Sequence, residues 1–164
     1  YMAVCNDGSC LWKGEHRGLS DSISWKWKNH RCHPVYISLG TRGRYFVEFS
    51  DGSQSGSTSD NFSAAVKMDG RNRSQSTSIE CVAFAPDYDG WWIRWKSGEI
   101  QWRNLPSDLD GVLRSKWCWK NGYPYLVSMT QDGGWFAIWD ENWEHRGLPP
   151  YCQENITFLR NKGH

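Results

Sequence analysis

Three polar triplets recur along the chain: Glu15-His16-Arg17, Gln101-Trp102-Arg103 and Glu144-His145-Arg146. In a strand, the Glu or Gln and the Arg point to one side and the His or Trp to the other. One side then carries an acceptor beside a rigid guanidinium fork, a pairing suited to vicinal hydroxyls or to a carboxylate. The copies start 86 and 43 residues apart, so they would form equivalent sites, and multivalent sites raise avidity without new contacts. The competing reading is structural, with each Arg held by Glu and stacked on a neighbouring Trp as a clamp between repeated units.

The second set of candidates is aromatic, for 12 of the 164 residues are tryptophan. An indole ring presents an apolar face and one N–H donor, which suits a wet, partly apolar ligand such as a sugar. The segments Ser24-Trp-Lys-Trp-Lys28 and Lys116-Trp-Cys-Trp-Lys120 alternate Trp with polar groups. Trp12, Trp25, Trp27, Trp92, Trp102, Trp117, Trp119 and Trp143 are therefore the rings to suspect of contacting a ligand or of capping sheet ends.

Catalytic and metal signals are sparse. No G-x-S-x-G, H-E-x-x-H or glycine-rich phosphate loop occurs. Lys28-Asn-His-Arg-Cys-His33 is too short and too basic to be a ligand set. The turn Asp87-Tyr-Asp-Gly90 resembles calcium-binding D-x-D-G turns but occurs once, so an ordinary Asp-stabilised turn is the better reading. Paired carboxylates for glycosidic cleavage depend on a separation that sequence does not contain. The expectation is a chain without metal, cofactor or catalysis.

The elements that must position these residues show themselves as an internal repeat. Tyr45-Phe-Val-Glu-Phe49, Trp91-Trp-Ile-Arg-Trp95 and Trp135-Phe-Ala-Ile-Trp139 share one form, and their starts lie 46 and 44 residues apart. A glycine-containing turn precedes each and polar turn residues follow. A β-branched strand stands before each turn, as Val35–Leu39, Val82-Ala-Phe-Ala and Tyr125–Met129, and recurs as Ile156–Leu159. Each unit thus reads as strand, Gly turn, aromatic strand, turn, third strand and a short helical or irregular link. The link after Leu105-Pro106 should be one or two helical turns. The first copy is abbreviated, and Tyr1–Gly8 can be registered as either the first or the aromatic strand.

Period two places Tyr45, Val47, Phe49, Trp91, Ile93, Trp95, Trp135, Ala137 and Trp139 on one apolar packing face. The opposite face, with Phe46, Glu48, Trp92, Arg94, Phe136 and Ile138, is mixed and is expected to be partly wet or to pair charges between units. One unit of about 44 residues cannot bury such a face alone, so neighbours must stack on it. The fold class expected is all-β: one repeat domain, 1–164, of four units (1–40, 41–86, 87–130 and 131–164). A small four-bladed propeller-like ring fits best, closed by Ile156–Leu159 beside Tyr1–Val4, with an open stack or barrel as runner-up. The second unit has lost its triplet near Ser55–Ser59, and Ser50–Ser78 reads as a solvated loop or a damaged blade.

Six cysteines without a CxxC pair, and the triplets Asn61-Phe-Ser, Asn72-Arg-Ser and Asn155-Ile-Thr, point to a secreted, disulfide-bonded glycoprotein. The start at Tyr1, with Met2 second, reads as a mature chain. A formal net charge of +1 excludes a general electrostatic grip on nucleic acid or an anionic membrane. The function expected is non-catalytic, lectin-like carbohydrate binding, with glycans or glycoproteins as partners and a possible homo-oligomer. The rivals are an extracellular structural or protein-binding module and a glycan-active hydrolase.

Overall fold

The sheets follow the repeat. The computed structural model describes residues 2–4, 10–12, 17–72, 79–115, 118, 122–140 and 142–154, with backbone alone for 2–4, 10–12 and 67–72. In chain order the elements are β1 (Met2–Val4), β2 (Cys10–Trp12), α1 (Arg17–His30), β3 (Pro34–Leu39), β4 (Tyr45–Phe49), β5 (Gln54–Ser57), α2 (Asp60–Asn72), β6 (Ile79–Phe84), β7 (Trp91–Trp95), β8 (Ile100–Arg103), α3 (Ser107–Leu113), β9 (Leu126–Met129), β10 (Trp135–Ile138), β11 (Trp143–Arg146) and α4 (150–154). Among the described residues they form a β1–β2 hairpin and three antiparallel three-stranded sheets, β3-β4-β5, β6-β7-β8 and β9-β10-β11.

The three sheets share one hydrogen-bonding plan. Before each aromatic strand, the Gly40, Ala85 and Thr130 N–H groups donate to the carbonyls of Arg44, Gly90 and Gly134. After it, the Phe49 and Trp95 N–H groups donate to Ser53 and Glu99, with Gly52 and Gly98 in the left-handed region that the reversal needs (φ 77° and 85°). Gly90 and Gly134 are required for a different reason. A Cβ at Gly90 would stand 2.4 Å from the Asn104 carbonyl, and one at Gly134 would stand 2.3 Å from the Gly147 carbonyl. At the same place in the first sheet stands Arg44.

Helices α1 and α2, of 14 and 13 residues, are longer than the expected links, whereas α3, at 7 residues, has the one or two turns expected. The packing face is buried in all three copies, as the alternation predicts. Tyr45, Val47 and Phe49 meet Leu19 and Ile23 of α1; Trp91, Ile93 and Trp95 meet Phe62 of α2; Trp135, Ala137 and Trp139 meet Leu109 and Leu113 of α3. The opposite face is not wet in the first two sheets. Phe46 joins the α2 cluster and Trp92, with no exposed surface, joins the α3 cluster. Helices α2 and α3 therefore each fill the wedge between the sheet before them and the next, and with α1 on the other side of β4 both faces of β4 and β7 are covered. The half-buried Arg94 serves the packing too, donating from Nε to Glu80 (2.7 Å) and from Nη1 to the carbonyl of Pro124, just before β9 of the next sheet (3.2 Å).

The segment from Ser50 to Ser78 is a corrected expectation. It contains β5 and the 13-residue α2, whose N–H at Phe62 is capped by Ser59 Oγ at 3.4 Å. The first triplet is another. Arg17 opens the 14-residue helix α1 instead of ending a strand, while Glu15 and His16 lie outside the described residues. Proline explains the difference. Leu105-Pro106 and Leu148-Pro149 hold the leucine out of helical backbone, so those helices start after it. In the first copy Ser20 stands at that place, and the helix extends back through Leu19. It ends at Arg31, whose φ of 57° and N–H bond to the Trp27 carbonyl (3.1 Å) form a left-handed cap.

Strand β1 lies beside β3, β3 beside β6 and β6 beside β9, so the first strands of successive sheets approach one another in chain order. The expected pairing of Ile156–Leu159 with the N-terminal strand lies outside the described residues. Cys32, Cys81, Cys118 and Cys152 are free thiols, with Cys32 and Cys118 buried in the core. Among the described residues no helix is long and apolar enough to cross a membrane.

Candidate functional site

The register places the triplets on equivalent positions of the outer strands. Gln101, Trp102 and Arg103 pair with Ile93, Trp92 and Trp91; Glu144, His145 and Arg146 pair with Ala137, Phe136 and Trp135. The same register assigns the lost copy to Ser55-Gly56-Ser57, opposite Val47, Phe46 and Tyr45. The alternation behaves as expected, since Glu144 Oε1 and Arg146 Nη2 share one side at 3.7 Å.

Neither triplet arginine clamps units together. Arg103 and Arg146 are exposed. The clamp is Arg44, which is 1% exposed and sits where the other sheets keep glycine. Its guanidinium donates to the Tyr88 carbonyl (2.7 Å), the Gly90 carbonyl (3.1 Å), the Ala85 carbonyl and Thr41 Oγ1 (3.0 Å), and it lies over the rings of Phe84 and Tyr88. The Asp87–Gly90 turn thus offers its carbonyls to a protein cation. Among the described residues no group of three or more His, Cys, Asp or Glu is placed to hold a metal. Sequence reasoning missed Arg44, although a lone Arg in a repeated glycine position was the available signal.

Gln101 and Trp102 do come together in a groove of about 520 Å³ lined also by Ser97, Glu99, Ile100 and Tyr123. Trp102 is locked on the α3 side. Its Nε1–H donates to Asp110 Oδ1 (2.8 Å), and the guanidinium of Arg114 lies 5.5 Å from its ring centroid. Arg114 in turn bonds Asp110 at 2.8 Å. That bond, with the indole donor, holds the Asp110 carboxyl below its usual range. Tyr123 stands 6.1 Å from Trp102, tilted by 53°, so two rings border the groove. Ser97 Oγ donates to Glu99 Oε2 (3.2 Å), placing an oriented carboxylate at the turn end. Tyr123 and Glu99 lie outside the repeated motif, and no sequence signal tied them to it.

The equivalent place in the third sheet is built differently. His145 stacks on Trp143 at 5.5 Å and 16°, and Trp143 meets Phe136 at 5.9 Å, so these rings cover one another. Among the tryptophans suspected of ligand contact, Trp92 is core, Trp102 and Trp143 are half-buried, and Trp25 and Trp27 are exposed on α1. The side chains of Trp12, Trp117 and Trp119 lie outside the described residues. No protein-family model matches the chain, and no curated protein or solved structure shows significant similarity to it.

Proposed function

We propose that the chain is a secreted, non-catalytic, glycan-binding repeat protein whose four units close into a small propeller-like ring. The ring rests on the succession of β1, β3, β6 and β9 as neighbours. The binding reading rests on one observation. The groove beside β8 combines two aromatic rings, Trp102 and Tyr123, with the amide of Gln101 and the carboxylate of Glu99. Sugar rings have C–H-rich faces that stack on aromatics and hydroxyl edges that need both donors and acceptors, which is the mixture this groove offers. A site so shallow binds weakly alone, and repetition on one chain or across copies supplies avidity.

A glycan array read together with intrinsic tryptophan fluorescence tests the reading. Saturable quenching by a simple glycoside without turnover is the expected result. Tyr123→Ala and Gln101→Ala should each weaken binding by up to about tenfold, since one ring contact or one net hydrogen bond contributes roughly 0.5–1.5 kcal/mol. No response to any glycan sinks the proposal. The exposed rings of Trp27 and Tyr151 favour a second reading, a protein-binding module. Capture of a protein partner that Tyr123→Ala leaves intact and Trp27→Ala abolishes would establish it instead.

A further inference from the structure

The second repeat has exchanged its triplet for Ser55-Gly56-Ser57, and this exchange opens a different groove. It measures about 450 Å³ and lies between α1 and β5, lined by Asp21, Ser22, Trp25, Lys26, Phe49, Gln54 and Ser55. Trp25 reaches it from the helix, its ring 4.9 Å from that of His30 and tilted by 53°, and stays 55% exposed on a helix whose buried contacts are Leu19 and Ile23. In the other sheets the position of Ser55 carries Gln101 or Glu144, side chains long enough to fill such a space.

Lys26, Ser22 and Ser55 of this groove are held in place by neighbours. Lys26 Nζ bonds Asp51 Oδ2 at 2.8 Å and lies 5.5 Å from the Phe49 ring centroid. That bond, with those from Ser53, holds the Asp51 carboxyl well below the usual range, so the pair stays ionised. Ser22 Oγ is within hydrogen-bond distance of both Tyr45 Oη (3.0 Å) and Ser55 Oγ (3.2 Å), which ties the helix to the outer strand. Pre-set donors and acceptors keep down the ordering cost of binding.

We infer that the α1–β5 groove is a second saccharide site, in which Trp25 is the stacking platform and Asp21, Gln54 and Ser55 engage hydroxyls. The ligand class is an uncharged pyranose, since the groove sets one carboxylate, Asp21, against an ammonium already paired with Asp51. The inference rests on the glycan reading of the protein but on a different ring, supplied by a helix instead of the strand. The repeat lost its strand motif here and kept a binding surface by another route.

The test is a titration of the whole chain with methyl glycosides of hexoses and N-acetylhexosamines, followed by the indole N–H signals in NMR. A saturable shift of the Trp25 signal is expected. Trp25→Ala should weaken this site at least tenfold, and Ser55→Gln should close it by restoring the side chain that the β8 repeat carries. Tyr123→Ala should leave it unchanged. A Trp25 response without a Trp102 response supports this site and overturns the β8 groove. Shifts confined to Trp102, or binding unaltered by both Trp25→Ala and Ser55→Gln, overturn this site alone. No shift at either ring overturns both.

Discussion

Replacing Arg44 by alanine removes a guanidinium that five acceptors and two rings surround. The carbonyls of Ala85 and Tyr88 would each lose their bond to it, whereas the Gly90 carbonyl keeps the Ala85 N–H. A buried acceptor left without its partner costs about 1–3 kcal/mol, which applies in full to the Ala85 carbonyl and in part to the half-buried Tyr88 carbonyl. Lost contacts with Phe84 and Tyr88 add to that, while the desolvation that lowers the Arg44 pKa is relieved and offsets part of it. The expected loss is therefore about 2–4 kcal/mol, a large part of the roughly 5–15 kcal/mol that holds a domain folded. Arg44→Lys keeps the charge but loses the planar fork, so it should recover only part of this. The assay is urea unfolding followed by tryptophan fluorescence, with Arg103→Ala as the exposed comparison, expected within about 0.5 kcal/mol of wild type. A cost for Arg44→Ala below about 1 kcal/mol, or a cost for Arg103→Ala equal to it, would refute the assignment of the clamp.

Gly134→Ala should destabilise by roughly 1–3 kcal/mol or more in the same assay, because its Cβ would meet the Gly147 carbonyl backbone, which no rotamer change relieves. Glu48 is buried, its Oε2 has no hydrogen-bond partner among the described residues, and desolvation raises its pKa despite Lys96 and Gln54. A carboxyl raised in the folded state binds its proton more tightly there, so it costs stability at neutral pH and the cost fades as pH falls toward the ordinary carboxylate value. Glu48→Gln should accordingly melt higher than wild type at pH 7, with the gap closing near pH 4; an equal gap at both pH values would show that desolvation is not the cause. Burial raises the pKa of the Cys32 and Cys118 thiols, so mass-mapped alkylation of native protein should modify Cys152 before either, and denaturant should erase the order.

Much of the architecture was legible as period and turn chemistry. The 44-residue repeat located all three aromatic strands, and the two-residue alternation named the nine side chains of the packing face. Asp51-Gly52 and Ser97-Gly98 marked their hairpins because a left-handed residue is a local requirement. The helices were harder to see. Helix α1 buries only Leu19 and Ile23, and α2 stands in a serine-rich stretch, so neither shows the long apolar stripe that signals a helix. The shared Arg-Gly-Leu pattern also suggested a strand at Arg17, and the missing proline at Ser20 was the one local sign that it would differ.

Chain chemistry alone established an aromatic β-repeat protein of nearly neutral charge, with its inward face and turn glycines assigned. Those properties depend on neighbours within a few residues. Tertiary structure decided which equivalent residues do which work. Trp91 and Trp92 are adjacent and alike, and both are core only because a helix fills the wedge on each side of β7. Arg44 clamps two sheets while Arg103 faces solvent, and Trp102 borders a groove because Tyr123, 21 residues further on, comes beside it. Burial and site geometry depend on what other units place against a side chain, and a repeat period carries no record of that.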